Sequence, residues 1–575
     1  MSLIKKWHAR FSPSLSHVDD RLLLIIAGSI AGICSGLAAV ALRLALESVT
    51  EWLHPFRHYW WAFLLPAAGA LLSGFYLEKV TREGAGHGVP EVIYAVSKHG
   101  GLLRLRSSYS RLISSFLTIG SGGSAGPEAP VVMSGSAIGS NIGKCLRLND
   151  RQRTTLVGCG TAGAIAGIFN APLAGLVFSI EVILGKWDFS NIIPIAIAAV
   201  AGAEVSRAII HEQVLFNHLF FTVGTADIFP GICLAVFAGL ISVFFTKSLN
   251  ISGKFAQKTR FPFWIRAIIG GCAVGCIGLF FPIVLGEGYH FIQSMISETF
   301  SMGIYITFVA VFAKILATAI TLGWGGSGGI FAPCLLIGSL TGIVFHKMVF
   351  LLFPNAACAS EGAYALLGMT GLISGVMQAP LTGIFLVVEI TGGYETILPL
   401  IIVSAISSTM SHYIEPASFY FKDLIKRGQF LRPGTDARIL SDLNIKELIT
   451  TEFTKVSENM LFREFIEIIK TSDQFFFPVI DEGTGAYKGV IELRSIRRYV
   501  LNPGIYDMVF LNQIMDTDVL TASLENDLPD VLEMMESNNM ESIPVVEHET
   551  FIGMISKTRI LDLYRRELIM QTSVR

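Results

Sequence analysis

Residues Thr118–Gly139 read TIGSGGSAGPEAPVVMSGSAIG, and the pattern returns at Thr321–Gly342 as TLGWGGSGGIFAPCLLIGSLTG. Eleven of the 22 paired positions are identical at a shift of 203 residues. A second pair follows at a shift of 208 residues, with GAIAGIFNAPLAGLVFSIE from Gly163 and GLISGVMQAPLTGIFLVVE from Gly371. Because both pairs keep their order along the chain, we infer that one half of this region duplicates the other.

Both copies of the first pair place a glycine-rich loop, then a proline, then an apolar run. Proline favours the first turn of a helix, where its missing N–H is not needed, so Pro130 and Pro333 each predict a helix start. Close packing of small residues also accounts for glycines, but not for the shared order of loop, proline and helix. Backbone N–H groups at such helix starts suit an anion. Duplicated halves with interrupted apolar segments are typical of transporter folds, whose site lies between the repeats.

The composition indicates a membrane protein with a soluble tail. Of the 575 residues, 52% are hydrophobic and 15% are charged, whereas about a quarter are charged in soluble proteins. Residues 1–430 hold 28 Lys and Arg with 21 Asp and Glu, and residues 431–575 hold 15 and 24. We therefore expect a membrane body followed by an acidic tail.

Five uncharged runs reach roughly the 18–20 residues that cross a bilayer. They are Leu22–Leu42, Ile228–Thr246, Ala267–Gly286, Ile315–His346 and Gly362–Val388. Glycines and prolines interrupt them, which predicts broken helices whose freed backbone faces protein or a water-filled cavity. We expect an all-α multi-pass body of about ten or more membrane segments. The charges of Lys5, Lys6, Arg10 and Arg21 before the first run favour a cytoplasmic N-terminus.

Glu128 is the only acidic residue between Glu91 and Asp150, and it lies beside a predicted helix start. An acid in a first helical turn stabilises the helix by about 0.3–1 kcal/mol, which is the structural explanation. A carboxylate at membrane depth costs about 2.5–3.5 kcal/mol on insertion scales, and such residues are as a rule functional. We therefore predict a functional role for Glu128.

Three ordered motifs, GHGVP at Gly86–Pro90, GPEAP at Gly126–Pro130 and GIFAP at Gly329–Pro333, resemble the selectivity-filter signatures of the CLC chloride channel and transporter family. The resemblance covers roughly residues 20–425 and implies an inverted-repeat helical body. The motif positions that carry it are Gly86, Gly88, Val89, Pro90, Gly126, Pro127, Ala129, Pro130, Gly329, Ala332 and Pro333.

The resemblance implies a role for several residues. Glu128 takes the position of the gating glutamate, whose carboxylate competes with the permeating anion for the same N–H groups. Tyr420, in EPASFYFKDL, matches the tyrosine whose hydroxyl contacts the central anion, although an interfacial aromatic residue is the structural alternative. Gly329, Ile330 and Phe331 would contribute backbone N–H donors to the anion-binding site.

Two departures from the family pattern limit what the resemblance implies. His87 stands where the family usually has Ser, or Pro in nitrate-selective members, so His87 would be an anion ligand with a titratable ring. A neutral His bonded to a nearby carbonyl is the alternative.

Val182 stands at the position where family antiporters usually carry the proton-relay glutamate, and the adjacent Glu181 aligns with a structural acid. Because valine cannot relay a proton, passive conduction is favoured over exchange.

The tail alternates short strands and amphipathic helices in two similar units, which predicts an α/β module. The helix, strand, turn, strand order resembles a pair of CBS domains, at residues 442–503 and 511–570. Such pairs often bind adenine nucleotides, through an acid near the end of the second strand. The nearest counterparts are Ser495 and Arg559, neither an Asp, so a folding and dimerisation module is favoured over a nucleotide site.

The predicted organisation is a cytoplasmic segment at 1–20, a membrane body at 21–425 with halves of about 21–210 and 225–425, and the tail. We predict chloride, or another small inorganic anion, as the transported ligand, with no metal, required cofactor or nucleic acid. The resemblance implies a homodimer, and we expect a bacterial inner (plasma) membrane with both termini cytoplasmic.

Three alternatives remain at this point. A proton-coupled anion antiporter is the nearest. A CBS-containing divalent-cation channel should place several carboxylates in the membrane segments, whereas this body offers helix N-termini and one gating acid. An enzyme is disfavoured, since no nucleotide loop, HExxH helix or interpretable Ser/His/Asp set is found in the sequence.

Overall fold

The computed structural model describes residues 20–83, 88–185, 187–211, 215–216, 227–259, 261–354, 359–426, 445–524, 526, 528–538 and 540–572. The chain divides into two compact units, Met1–Phe430 and Leu431–Arg575. The first unit has one continuous apolar core, and the second has two smaller cores.

Helices are the main secondary structure among the described residues of the first unit. The first half comprises α1 (Asp20–Leu53), α2 (Leu65–Phe75), α3 (Val89–Lys98), α4 (Ser107–Gly120), α5 (Glu128–Cys145), α6 (Asp150–Phe169), α7 (Pro172–Phe178) and α8 (Phe189–Ile210). The second half comprises α9 (Ile228–Lys258), α10 (Phe263–Phe280), α11 (Tyr289–Ile296), α12 (Ile304–Gly323), α13 (Phe331–Leu352), α14 (Glu361–Met377), α15 (Pro380–Thr391), α16 (Ile397–Ile414) and α17 (Phe419–Lys426).

The prediction of broken membrane segments is confirmed. The run Ile315–His346 holds the end of α12 and most of α13, with the glycine-rich loop between them. The run Gly362–Val388 likewise breaks between α14 and α15, where Gln378 has a φ of 53°. Eight helices in the described parts of the chain are long and apolar enough to cross a membrane, and Pro172–Leu184 and Pro380–Thr391 are shorter apolar helices.

Contacts between the two halves are reciprocal, as expected for duplicated units. The Ser327 N–H donates to Thr118 Oγ1 and the Ser124 N–H donates to Thr321 Oγ1, both at 3.1 Å. Ser327 and Thr321 are the repeat equivalents of Ser124 and Thr118 at the 203-residue shift. The halves are therefore related by an approximate twofold axis that passes near the glycine-rich loops.

Glycine pairs allow the closest helix approach in each half. A Cβ at Gly160 would lie 1.9 Å from the Gly135 carbonyl oxygen, and one at Gly368 would lie 2.2 Å from the Gly338 carbonyl oxygen. No side chain fits at these distances, so α5 packs on α6, and α13 on α14, backbone to backbone. This contact holds the helices that begin at GPEAP and GIFAP rigidly in place.

The second unit is α/β, as the strand and helix pattern predicted. Strands β1 (Val456–Ser457), β2 (Phe476–Ile480) and β3 (Tyr487–Glu492) form one sheet in that order, and β4 (Ser542–Glu547) pairs with β5 (Thr550–Ser556) in a second. The β2–β3 and β4–β5 pairs are antiparallel. The helices are α18 (Ile445–Leu448), α19 (Phe462–Thr471), α20 (Arg497–Val500), α21 (Leu528–Ser537) and α22 (Lys557–Thr572).

Candidate functional site

The GPEAP and GIFAP loops lie side by side in the first unit. The Gly126 N–H donates to the Gly329 carbonyl at 2.9 Å, and the Gly329 N–H donates to the Gly126 carbonyl at 2.6 Å. Helices α5 and α13 begin two residues after these glycines, and Pro130 and Pro333 are the third residue of each. Because the first N–H groups of a helix have no intrahelical acceptor, two sets of amide donors meet at this point.

Gly88, Val89 and Pro90, the described end of the GHGVP motif, approach the same place. Gly88, at the start of α3, has a φ of 79°, and a Cβ there would lie 3.1 Å from the Ala129 carbonyl oxygen and 3.3 Å from Met133 Cβ. Val89 and Pro90 are buried in the first turn of α3. Gly86 and His87 lie outside the described residues, so their predicted roles stay predictions.

Glu128 is fully buried at the start of α5. Its Oε1 accepts a hydrogen bond from the Tyr289 hydroxyl at 2.8 Å. The backbone N–H groups of Glu128 and Ala332 lie close to the carboxylate and favour its negative charge. Its Oε2 has no hydrogen-bond partner in the described part of the chain. The carboxylate lies directly against the Gly126 loop, since a Cβ on Gly126 would be 2.0 Å from Oε2. A negative group thus occupies the junction of the two helix starts.

Tyr420 is also buried, with 1% of its surface exposed. Its hydroxyl has no hydrogen-bond partner among the described residues. Helix α17, which carries Tyr420, packs against α3 and α14. A buried hydroxyl without an acceptor is costly, so its surroundings fit an added acceptor such as an anion.

Ile330 and Phe331 set the start of α13 through their side chains. Both are 1% exposed, and the Phe331 ring contacts those of Phe169 and Phe178 at centroid distances of 6.2 and 5.3 Å. This packing fixes the helix start, and with it the direction of the first amides. At these two positions the side chains are apolar, so only the backbone N–H and C=O groups can form hydrogen bonds.

Glu181 is engaged in a contact between the halves. It accepts hydrogen bonds from the Leu381 N–H at 3.2 Å and the Thr382 N–H at 2.8 Å, at the start of α15. Its repeat equivalent Glu389 accepts from the Leu173 and Ala174 N–H groups, at 3.0 and 2.7 Å, in the same way. Each glutamate therefore caps a helix of the opposite half, which stabilises the paired repeats.

Val182 follows Glu181 in a π-helical turn and is 3% exposed. An isopropyl group that is buried there offers no titratable atom. The predicted loss of the proton relay at this position rests on the resemblance and stays a prediction.

Sequence reasoning missed a cavity of about 660 Å³ that reaches the site, and with it Tyr289 and Glu287. Pro127, Glu287 and Tyr289 all line this cavity. The only sequence signal was that Glu287 directly follows the uncharged run Ala267–Gly286. Nothing in the local sequence connects Tyr289 with Glu128, because the two residues lie 161 positions apart.

Ser495 and Arg559, the tail positions compared with a nucleotide-binding acid, make hydrogen bonds to other residues of the tail. Ser495 Oγ donates to the Glu492 carbonyl at 2.8 Å, and the Arg559 guanidinium donates to Thr450 Oγ1 at 3.1 Å. The Ser495 contact lies within residues 442–503, whereas the Arg559 contact joins residues 511–570 to Thr450 of the first range.

The converging helix starts and duplicated halves define a membrane protein of the broken-helix transporter class. A profile described as "Voltage gated chloride channel" matches residues 68–412, and one described as "CBS domain" matches residues 445–502 and 511–566. The chain therefore belongs to the CLC family of voltage-gated chloride channel proteins, and its tail is a pair of CBS domains.

Individual relatives agree with this assignment. A putative chloride channel protein ClcB-like of Ralstonia nicotianae is 30% identical over 421 residues, which cover 70% of this chain and 97% of that protein. The H(+)/Cl(-) exchange transporter ClcA of Vibrio cholerae is 31% identical over 396 residues, 66% of this chain and 84% of that protein. The crystal structure of a slow cyanobacterial Cl-/H+ antiporter has the same fold, with a TM-score of 0.65, 23% identity and coverage of 72% of this chain and 99% of that one.

Proposed function

We propose that this protein conducts chloride across the membrane through the junction of α5 and α13, and that Glu128 gates the pathway. The observation that carries the proposal is the buried Glu128 carboxylate at two meeting helix starts, with Oε2 lacking a partner among the described residues. The relatives named above are a chloride channel protein and a chloride exchanger, which supports chloride as the ion.

The gate follows from competition for the same donors. Helix N-terminal amides favour any anion near them, and the effect is largest where water is excluded. When Glu128 is ionised, its carboxylate takes the place of the anion at the start of α13, near the Ala332 N–H. When the carboxyl group is protonated or turns away, the amides and the Tyr420 hydroxyl become available to chloride. Acidification would therefore open the pathway.

We favour passive conduction over proton exchange because Val182 cannot carry a proton. The second candidate function is proton-coupled exchange, and the ClcA relative is named for that activity. A CBS-containing divalent-cation channel is disfavoured by the amide-lined junction, since a hard cation prefers oxygen ligands.

A reversal-potential measurement separates the first two functions. In a planar bilayer with a tenfold chloride gradient and an opposed tenfold proton gradient, a passive pathway should reverse at the chloride equilibrium potential, about 59 mV in magnitude. The reversal should not move when the proton gradient is removed. Glu128→Gln serves as the control, because a passive pathway keeps the same reversal potential without the carboxyl proton. A wild-type reversal that follows the proton gradient would establish exchange.

His87 should set how anion binding depends on pH, if it is a ligand as the resemblance implies. A charged imidazole donates two hydrogen bonds whereas serine donates one, and bonds from charged donors contribute about 1.5–3 kcal/mol. We expect His87→Ser to raise the chloride concentration that half-saturates flux by about tenfold at pH 5.5, and to have little effect at pH 8. Chloride titrations of flux in liposomes at both pH values measure this, and competition by fluoride, nitrate and bromide shows whether all anions lose the same affinity. Equal half-saturating concentrations in both proteins at both pH values would exclude His87 as a ligand.

We further propose that the protein is a homodimer with one pathway in each subunit, as the family resemblance implies. The positive charges before the first membrane segment support cytoplasmic termini, in the plasma membrane of a bacterium. The partners of the body are then lipid and small inorganic anions. The tail is proposed as a folding and dimerisation module that requires no cofactor.

A further inference from the structure

The cavity beside the gate has an unexpected charge for an anion pathway. Its ionisable wall residues include three carboxylates and two guanidinium groups: Glu47, Glu51, Glu287, Arg43 and Arg57. Arg43 pairs with Glu47 at 2.9 Å, which neutralises one charge of each sign and leaves Glu51 and Glu287 against Arg57. Carboxylates around a cleft raise the local concentration of cations and lower that of anions. The walls of this cavity thus suit the delivery of protons better than that of chloride.

Glu287 is held at a fixed place in the cavity wall. It lies between Gly286 and Gly288, whose φ values of 61° and 84° form a tight turn before α11. The buried Lys314 ammonium group donates to the carbonyls of Val284 and Gly286, at 3.0 and 2.9 Å, and so anchors the same turn from α12. Glu287 is half-buried and lines the cavity.

The turn also positions the residue that touches the gate. Tyr289 lies two residues after Glu287, lines the same cavity and donates its hydroxyl to Glu128 Oε1 at 2.8 Å. The Phe216 ring contacts the Tyr289 ring at a centroid distance of 5.8 Å, which restricts its rotation. One rigid turn therefore presents an acid to the cavity and a hydroxyl to the buried gate.

The charges around Glu287 are of both signs. Glu47 and Arg43 line the same cavity as Glu287, and the Lys314 ammonium group bonds to the neighbouring Gly286 carbonyl. Arg57, Glu51, Tyr289 and His290 are the other titratable groups that line the cavity. Glu287 and Tyr289 line one cavity and Tyr289 is hydrogen-bonded to Glu128, so these three residues connect the cavity with the buried gate.

We propose that Glu287 takes protons from the cavity and passes them to Glu128 through Tyr289, so that the pH on the cavity side controls opening. The proposal rests on the gating role of Glu128 given above. A hydronium ion protonates Glu287, Tyr289 gives its hydroxyl proton to Glu128 Oε1, and Tyr289 recovers a proton from Glu287. The net change is one proton moved from the cavity to Glu128, with Glu287 ionised again. Glu287 is thus a positioning and transfer residue that does not contact the anion.

The test compares Glu287→Gln with wild type in planar bilayers, with pH changed on one side at a time. Loss of a nearby negative charge makes Glu128 harder to protonate, so the activation midpoint should fall by about one pH unit. Opening after an acid jump on the cavity side should slow by about tenfold, because glutamine cannot transfer the proton. Glu287→Asp should keep the wild-type rate within about threefold. Glu51→Gln removes the same charge from the cavity wall and should shift the midpoint by less than about 0.3 unit.

The outcomes separate this inference from the gate itself. If Glu287→Gln keeps both the wild-type midpoint and the opening rate, while Glu128→Gln loses its pH dependence, Glu287 has no part and the gate stands. If Glu128→Gln keeps the wild-type pH dependence, Glu128 is not the gate, and the proposed role of Glu287 is excluded as well. If Glu287→Gln does not fold, the opening rate of the wild-type protein is compared after acid jumps on the two sides of the bilayer. Equal rates would show that protons do not enter preferentially through the cavity.

Discussion

Glu128→Gln should leave anion flux intact and remove its dependence on pH. The amide keeps the size of the side chain but cannot hold a negative charge against the helix starts. Hydrogen bonds to a charged group contribute about 1.5–3 kcal/mol, so loss of the closed state should raise flux at pH 8 by about ten- to a hundredfold. At pH 5, where wild type is open, the two proteins should agree within about twofold.

Chloride efflux from liposomes between pH 5 and pH 8 measures this effect in the full-length protein. Glu298→Gln is the matched control, because this exposed carboxylate beyond the end of α11 has no part in the junction. Its pH profile should be that of wild type. A Glu128→Gln profile that still rises on acidification would assign pH control to a different residue.

The helix starts were predictable because their signals are local. A glycine-rich loop followed by proline specifies a helix beginning, and Pro130 and Pro333 lie in the first turns of α5 and α13 as expected. Glu128 was predictable because a lone acid in an apolar region is costly to bury. The duplication could be read directly from the sequence, since both copies must form the same local structure.

The partners of these helix starts could not be predicted in the same way. The bond between Tyr289 and Glu128 spans 161 residues, and the caps formed by Glu181 and Glu389 span 200 and 216 residues. Such contacts depend on the angles and positions at which helices cross. The residue type at one position does not reveal which distant helix crosses there. The break in the run Ile315–His346 was predictable, because its glycines and proline are a local signal, and a loop divides the run between α12 and α13.

Gly126→Ala should open the pathway by displacing the Glu128 side chain without changing its charge. A Cβ at Gly126 would lie 2.0 Å from Glu128 Oε2 and 2.8 Å from Oε1, well inside van der Waals contact. These atoms are the end of a flexible side chain, so the carboxylate rather than the backbone should move. We expect flux at pH 8 to rise by about tenfold, because the displaced carboxylate no longer covers the α13 amides.

Gly253→Ala is the control for glycine substitution, because a Cβ there meets nothing within 4 Å, and its flux should match wild type. Adding Glu128→Gln to Gly126→Ala provides the decisive comparison. If both changes remove the same closed state, their effects on flux at pH 8 should not add, since a gate can be opened only once. Additive effects, or a Gly126→Ala protein that closes normally at pH 8, would mean that the carboxylate does not rest against Gly126 in the closed state.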